Sequence, residues 1–296
     1  DIRNQLFRTA KTKAEIRRHS ARVSRLLKRL HLHGLVAKIP RTRRWRVTRD
    51  PIRNSYWRAS MKIQSVTAAV LIAAFAPMGT ASAWNEGGGE KDEAVTLEPD
   101  LENGRDVYEV CAACHLPEGW GSKDGTFPQL AGQHREVLIK QMADIREGNR
   151  DNPTIYPFAL PRAIGDAQAL SDVTAYIETL PMSPDRSLGE WGPDTPEFAQ
   201  GKALYEENCT KCHGETGMGD KEKFYPRVNG QHYTYMVRQF EWIRDGKRRN
   251  SNPDMVEQIA SFSDNDMKMV INYTSRIPVP ADQLAPSADW LNPDFE

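Results

Sequence analysis

The chain has 296 residues, and its 40 Lys and Arg balance 40 Asp and Glu, so the formal net charge is zero. With 39% hydrophobic and 27% charged residues it is neither a multi-pass membrane protein nor a disordered tail. Four cysteines are too few for a scaffold held by disulfides. The charge is unevenly distributed: residues 1–60 hold 18 basic and 3 acidic side chains, net +15, and the rest hold 22 and 37, net −15. Such an asymmetry predicts two functionally separate parts.

The basic segment, residues 1–60, has a helical and then a strand-like pattern. Ala21–Leu35 carries an apolar stripe with Arg and Lys between its members, which predicts a basic helix. The stretches VAKIP and RWRVT then flank Arg41-Thr42-Arg43 as a short hairpin. A basic helix followed by a two-stranded wing resembles the recognition half of a winged-helix DNA-binding domain. Because an export signal follows, we expect residues 1–60 to lie outside the mature protein, which then has no nucleic-acid partner.

That export signal begins at Met61 with the stretch MKIQSVTAAVLIAAFAPMGTASA. Lys62 supplies a basic start, an apolar run extends from Val66 to Met78, and Ala81-Ser82-Ala83 forms a small-residue cleavage site. Residues 61–83 are therefore predicted to be a signal peptide that is cleaved after Ala83, giving a periplasmic protein with no transmembrane anchor. The alternative is an uncleaved anchor, although a transmembrane helix needs roughly 20 apolar residues.

The acidic part contains one sequence repeat. Cys111-Ala-Ala-Cys114-His115 recurs 98 residues later as Cys209-Thr-Lys-Cys212-His213. Seven further positions match at the same offset: Pro128 and Pro226, Gly132-Gln133-His134 and Gly230-Gln231-His232, Gln141 and Gln239, Arg146 and Arg244, and Gly148 and Gly246. This predicts two homologous domains, residues 84–186 and 187–296, joined by the Pro- and Gly-rich stretch 180–196.

Each copy has helical periodicity and no convincing alternating strand, so the predicted class is all-α. The predicted helices are Glu102–Cys114, Arg135–Gly148 and Ala167–Leu180 in the first copy, and Glu197–Cys212, Tyr233–Gly246 and Asn265–Ile277 in the second. Three helices in about 100 residues make a thin hydrophobic core. A large group must fill each domain.

The two C-x-x-C-H motifs indicate what that group is. This motif is the attachment signature of c-type haem: two cysteines on one turn reach the two vinyl groups of a porphyrin. The adjacent histidine then lies under the iron as its proximal ligand, here His115 and His213. A zinc site would place its cysteine pairs about 15–20 residues apart, and a thioredoxin-like site would need a βαβ unit. The sequence therefore predicts two covalently attached haems, at Cys111 and Cys114 and at Cys209 and Cys212.

From Leu101 to Pro278 the sequence resembles class I cytochromes c, and within them the two-haem cytochrome c-four group. The matching stretches include CAACH, PQLAGQH and REGNRDNP in the first copy, and CTKCH, PRVNGQH and RRNSNPDM in the second. The resemblance implies a tandem of two all-α haem domains with the haem propionates facing each other across the interface. It also implies a role in periplasmic electron transfer.

The resemblance carries further ligand assignments. It implies that the carbonyls of Pro128 and Pro226 accept hydrogen bonds from the proximal imidazoles. It also implies that Met255, in Asn-Pro-Asp-Met, is the sixth ligand of the second haem, which raises its reduction potential. In the first copy Ile155 stands at the matching position. The first haem then has an open or water-ligated iron, Tyr156 as its ligand, or another side chain.

Two functions follow from these residues. The first is an electron carrier without enzymatic activity. From Trp84 onward the chain holds 21 basic and 37 acidic residues, a net −16, which favours redox partners with basic docking faces, such as a terminal oxidase or a membrane-bound reductase. The alternative is a redox enzyme or small-ligand binder in which an open first haem takes NO, CO or peroxide. No cysteine remains to ligate an iron by thiolate, as in thiosulfate-oxidising enzymes.

Overall fold

The computed structural model of the protein describes residues 36–38, 45–47 and 88–295. The first two stretches are short strands, β1 (Val36–Lys38) and β2 (Trp45–Val47), which pair antiparallel with Val36 opposite Val47. This pairing confirms the hairpin predicted within the basic segment. The basic helix predicted at residues 21–35 and the signal peptide predicted at residues 61–83 lie outside the described residues.

Residues 88–295 are helical, with two isolated β-bridges as their only ladder pairing. They form two units of similar architecture. The first contains α1 (Gly89–Thr96), α2 (Leu101–Tyr108), α3 (Ala112–His115), α4 (Arg135–Glu147), α5 (Tyr156–Ala159), α6 (Pro161–Ile164) and α7 (Ala167–Thr179). The second contains α8 (Pro196–Asn208), α9 (Thr210–His213), α10 (Tyr233–Arg244), α11 (Pro253–Ile259) and α12 (Asp264–Arg276). Two 3₁₀ turns, Ala281–Gln283 and Pro293–Phe295, lie in the C-terminal tail.

The all-α class is confirmed, and the six main helices lie where they were predicted. The prediction differs at the cysteine motifs, where one continuous helix was expected in each copy. The chain leaves α2 at Tyr108 and α8 at Asn208, and the motif forms its own short helix, α3 or α9. The prediction also missed α1, α5, α6 and α11.

In each unit the first long helix crosses the last at a glycine. Gly104 in α2 lies so close to α7 that a Cβ there would overlap the carbonyl oxygen of Asp172. Gly201 in α8 has the same relation to the carbonyl oxygen of Met269 in α12. Because no larger side chain fits, the two glycines set the close approach of the helices that frame each haem motif.

An aromatic cluster lies beside each of these crossings. In the first unit the rings of Tyr108 and Tyr176 are 5.5 Å apart, and in the second those of Tyr205 and Tyr273 are also 5.5 Å apart. The second unit adds its own Phe198, 5.3 Å from the Tyr273 ring. The first unit instead receives Phe295 from the C-terminal tail, 6.0 Å from the Tyr108 ring.

The C-terminal tail, residues 278–295, contributes its last described residues to the first unit. Phe295 is buried in the core that contains Tyr108 and Tyr176. The Asn292 side chain, also buried, donates to the carbonyl oxygen of Pro117 at 2.8 Å and to the hydroxyl of Tyr176 at 3.0 Å. The chain therefore returns from the second unit to complete the core of the first.

Among residues 88–295, no helix has the length and hydropathy needed to cross a lipid bilayer.

Candidate functional site

Each cysteine motif forms a single turn that brings its reactive side chains together. Cys111 is the N-cap of α3, and its carbonyl oxygen accepts from the backbone N–H of Cys114 and of His115. Cys209 stands in the same relation to Cys212 and His213. All four thiols are free and half-buried. Each turn thus presents two thiols and an imidazole to the interior of its unit.

Both histidines of the motifs make the same bond. Nδ1 of His115 lies 2.9 Å from the carbonyl oxygen of Pro128, and Nδ1 of His213 lies 2.9 Å from that of Pro226. A carbonyl oxygen only accepts, so the proton is on Nδ1 and the Nε2 lone pair is available to a metal. Burial lowers the pKa of His115 to about 4 and lowers that of His213, which keeps both rings neutral. The carbonyl oxygens of Pro128 and Pro226 therefore lie where they can fix the orientation of the two imidazole rings.

These residues fit a covalently bound haem. A neutral imidazole with a free Nε2 is the ligand form that iron needs, and two free thiols one turn apart match the two vinyl groups of a porphyrin. Within residues 88–295 no cluster of three or more His, Cys, Asp or Glu side chains could hold a metal ion by itself. The donor set therefore suits a prosthetic group that brings its own equatorial ligands.

Residues 252–263, which carry the predicted sixth ligand Met255, and the equivalent residues 152–166 of the first unit are called the distal segments. The distal segment of the second unit begins with a capped helix. The side chain of Asn252 caps α11 by accepting from the backbone N–H of Asp254 at 2.8 Å. Met255 lies in the first turn and packs, half-buried, against the core that includes Phe240 and Ile259. Met267 and Met269, by contrast, are fully buried in α12.

The distal segment of the first unit has a different shape. Asn152 is 14 residues before the Asp166 cap of α7, whereas Asn252 is 11 residues before the Ser263 cap of α12. The longer stretch forms α5 and α6, each with a proline in its first turn. Ile155 is the N-cap of α5 and Tyr156, half-buried, is its first residue.

This segment also contains a cation that the sequence did not predict. Arg162 lies in α6, and its Nε and one Nη are buried without a hydrogen-bond partner among the described residues. It has no counterpart in the shorter segment of the second unit. No motif marked it, because an isolated arginine carries no spacing signal.

The loops that follow the two histidines meet each other between the units. The backbone N–H of Gln129 donates to Oε1 of Gln231, and that of Arg227 donates to Oε1 of Gln133, both at 3.0 Å. The reverse bonds run from Nε2 of Gln231 to Gln129 O at 2.8 Å and from Nε2 of Gln133 to Arg227 O at 2.9 Å. The 98-residue offset relates Gln129 to Arg227 and Gln133 to Gln231, so the two pairs of bonds are equivalent to each other and the interface has approximate two-fold symmetry.

The histidines of the two Gly-Gln-His segments belong to the same interface. His134 precedes α4, and its Nε2 is 2.6 Å from the carbonyl oxygen of Met218 in the second unit. His232 precedes α10, and its Nε2 is 2.7 Å from the carbonyl oxygen of Trp120 in the first unit. Each of the two histidines is the N-cap residue of the helix that follows it. The 98-residue offset relates His134 to His232 and also relates Trp120 to Met218, so the two contacts are equivalent to each other. This offset was the feature of the sequence that could have indicated the interface.

Comparisons with known proteins agree with this architecture. The family model for cytochrome c matches residues 101–181, and the model for cytochrome c oxidase, cbb3-type, subunit III matches residues 196–273. The chain is 33% identical over 184 residues to cytochrome c4 of Pseudomonas aeruginosa, which covers 59% of this chain and 87% of that relative. It is 32% identical over 179 residues to the thiosulfate dehydrogenase electron acceptor of Stutzerimonas stutzeri, covering 57% of this chain and 79% of that relative.

A solved structure is similar over the same two units. The crystal structure of reduced cytochrome c4 from Pseudomonas stutzeri matches with a TM-score of 0.52 and 28% identity, covering 61% of this chain and all of that one. The paired thiols at Cys111 and Cys114 and at Cys209 and Cys212 are then the attachment points of two c-type haems. The chain belongs to the cytochrome c4 family of dihaem electron carriers.

Proposed function

We propose that this protein is a periplasmic electron carrier that passes single electrons between respiratory redox proteins through two haem sites in one chain. The observation that carries the proposal is the identical geometry of the two histidines, each with Nδ1 2.9 Å from a proline carbonyl oxygen. A carrier needs such fixed ligands because a rigid site reorganises little when the iron changes charge. Bound haem supplies reversible one-electron chemistry at each site.

On the proximal side of the iron, equivalent residues have the same roles in both units. His115 and His213 are the proximal ligands, and the carbonyls of Pro128 and Pro226 hold their rings in one orientation and one tautomer. Met255 is the distal ligand in the second unit. Its place in the first turn of a helix capped by Asn252 gives its thioether a fixed position.

The partners we propose are redox proteins with basic docking faces, since the chain from Trp84 onward carries a net −16. Two of the similarities reported above suggest which classes of redox protein these partners are. A relative is a thiosulfate dehydrogenase electron acceptor, and the second unit matches a subunit of a cbb3-type oxidase. A periplasmic dehydrogenase as donor and a terminal oxidase as acceptor would fit both. A membrane-bound reductase would be a further donor with the same docking requirement.

A second candidate function rests on the first unit's distal segment. Ile155 offers no ligating atom, and the segment is longer by three residues than its counterpart. If neither Tyr156 nor another side chain binds the iron, the first haem could take NO, CO or peroxide while the second supplies electrons. The buried, unpartnered guanidinium of Arg162 would favour an anionic or hydrogen-bond-accepting ligand there.

Carbon monoxide distinguishes these functions when the visible spectrum of the reduced protein is recorded with and without it. Two haems that ignore CO would support the carrier alone, and one CO-binding haem would support the second function. Met255→Ala should create a CO-binding site at the second haem and lower its potential, because a thioether opposite histidine raises it. Met269→Leu, a volume-conserving change in α12, should do neither. A Met255→Ala protein with an unchanged spectrum would contradict the assigned ligand.

A further inference from the structure

Each proximal histidine is bonded to a peptide group that the other unit also holds. In the first unit, Nδ1 of His115 donates to the carbonyl oxygen of Pro128 at 2.9 Å. The N–H of that same peptide group belongs to Gln129, and it donates to Oε1 of Gln231 in the second unit at 3.0 Å. A chain of two hydrogen bonds therefore runs from the histidine of one unit to a side chain of the other.

The second unit repeats this chain in the opposite direction. Nδ1 of His213 donates to the carbonyl oxygen of Pro226 at 2.9 Å. The N–H of the same peptide group belongs to Arg227, and it donates to Oε1 of Gln133 in the first unit at 3.0 Å. Because residues 129 and 227 are only 3% and 6% exposed, water has little access to either peptide group. Hydrogen bonds linked in a chain in such surroundings polarise one another.

Both glutamine side chains are held in place by further hydrogen bonds. The backbone N–H of His134 donates to Oε1 of Gln133 at 3.1 Å, and that of His232 donates to Oε1 of Gln231 at 3.0 Å. Each Nε2 donates back to the carbonyl oxygen of residue 227 or 129, at 2.9 and 2.8 Å. These bonds fix each side-chain amide, so that its oxygen stays directed at the peptide group of the other unit.

We propose that Gln133 and Gln231 are positioning residues that act across the interface: Gln133 sets the reduction potential of the haem in the second unit, and Gln231 sets that of the haem in the first. This proposal rests on the two-haem carrier function given above. Each glutamine acts through one peptide group and the histidine that is bonded to it.

The sign of the effect follows from the direction of the hydrogen bonds. A peptide group that donates through its N–H becomes a stronger acceptor at its carbonyl oxygen. A stronger acceptor draws the Nδ1 proton of the histidine towards itself, which makes the ring a more basic ligand. A more basic ligand favours the oxidised iron, so each glutamine lowers the potential of the haem in the opposite unit.

The test is a redox titration of single variants of the full chain with both haems attached, in which each haem is followed by its own proton NMR signals. These signals are assigned to a unit by their contacts with its side chains. Gln133→Met keeps the length of the side chain and removes the acceptor of the Arg227 N–H. It should raise the reduction equilibrium constant of the second haem about two- to threefold, or about 20–30 mV at 59 mV per tenfold, and change that of the first less than about 1.3-fold. Gln231→Met should do the reverse.

Gln133→Glu should give a shift of the opposite sign, and it serves if the methionine variants do not fold. Its carboxylate has nearly the same shape as the amide and is a stronger acceptor of the Arg227 N–H. The potential of the second haem should therefore fall, and it should fall by more than that of the first. A general disturbance of the interface would shift the potential in the same direction in both variants.

Thr234→Val is the matched control. Oγ1 of Thr234 donates across the same interface to the carbonyl oxygen of Lys123 at 2.8 Å, which is not a carbonyl bonded to a proximal histidine. Its loss should change the reduction equilibrium constant of either haem less than about 1.3-fold.

The outcomes separate this proposal from the carrier function. Equal shifts of both haems, shifts confined to the haem of the mutated unit, no shift, or a Thr234→Val shift as large as that of Gln133→Met would overturn the proposal. In protein with two intact haem spectra, each of these results would leave the carrier function standing. A wild type without two one-electron haem titrations would contradict the carrier function and this proposal with it.

Discussion

His134 and His232 occupy equivalent positions, but their pKa values shift in opposite directions because only His134 has an acidic neighbour. Nδ1 of His232 accepts from the backbone N–H of Ser187 at 3.2 Å while Nε2 faces a carbonyl oxygen, so its ring is held neutral, and burial lowers its pKa. Nδ1 of His134 instead lies 3.7 Å from the carboxylate of Glu178, which raises the pKa of His134. At the 97-residue offset that relates Tyr176 to Tyr273, the equivalent of Glu178 is Ser275, so only one of the two histidines has an acidic partner.

This difference predicts a pH dependence of the free energy of unfolding. A raised histidine pKa gives stability that is present below its unfolded value of about 6.5 and is lost as the pH rises through the folded value. The pKa of Glu178 is lowered from 4.5, so its share is present above 4.5 and is lost as the pH falls. The His134–Glu178 pair should therefore stabilise most between about pH 4.5 and 6.5.

Urea unfolding of the wild type and of Glu178→Gln, compared across pH 4 to 9, measures this effect. The difference between the two proteins should be largest near pH 5.5 and should fall towards pH 8.5. Since His232 is present in both proteins, its opposite contribution cancels. A difference that is constant over this range would contradict the assignment.

At the scale of elements, each unit completes its aromatic cluster from a different source. Phe198 comes from the helix α8 of its own unit, whereas Phe295 arrives from the C-terminal tail. At the position in α2 equivalent to Phe198 stands Leu101, which is 48% exposed and does not fill the place. The first unit therefore depends on a residue that the second unit does not need.

Phe295→Ala and Phe198→Ala form a matched pair that tests this dependence. Phe295→Ala should cost about 3–5 kcal/mol, the range for removing a buried aromatic ring, and Phe198→Ala should cost less because Phe198 is half-buried. Hydrogen exchange of the backbone amides should show Phe295→Ala accelerating α2 and α7, and Phe198→Ala accelerating α8 and α12. If Phe295→Ala changed exchange only within the tail, Phe295 would not be part of the first unit's core.

The six main helices were predictable because their apolar residues recur at helical spacing and polar caps precede them. Helix α1 was not, because half of its sequence, GEKDEAVT, is charged and the helix derives its order from packing on α4 and α7. Helices α5 and α6 are punctuated by Pro157 and Pro161, which interrupt any periodic signal. At the sites, the cysteine and histidine positions followed from the motif, and the roles of Pro128 and Pro226 from the family resemblance. The partners of Gln129, His134 and Phe295 lie in the other unit, and no local pattern indicates them.

At the scale of the whole molecule, the interface between the two units is nearly two-fold symmetric. It nevertheless contains a pair of oppositely charged residues that occupy equivalent positions in the two repeats. Asp151 and Arg249 are related by the 98-residue offset and contact each other through two bonds of 2.9 Å. Two copies of the first unit would bring two aspartates together at this point, and two copies of the second would bring two arginines together. The pair therefore favours joining unlike units over joining like ones.

A double-mutant cycle on Asp151 and Arg249 measures that preference. Both side chains are more than half exposed, so their coupling should be modest, about 0.5 kcal/mol. Arg249→Asp alone should weaken the interface by more, since it places two carboxylates in contact. Combining it with Asp151→Arg should restore most of the loss, as followed by urea unfolding at low salt. A double variant no better than the worse single variant would show that the pair does not act through charge.

The tail also bears on the order in which the molecule is made. A chain emerges from the ribosome, or from an export channel, with its N-terminal part first, so the first unit appears well before Phe295 does. During that interval its aromatic cluster lacks its third ring, while the second unit already has Phe198 within its own helix. The second unit can therefore reach its full stability first. The first unit, although it is made earlier, reaches its full stability only after Phe295 has emerged.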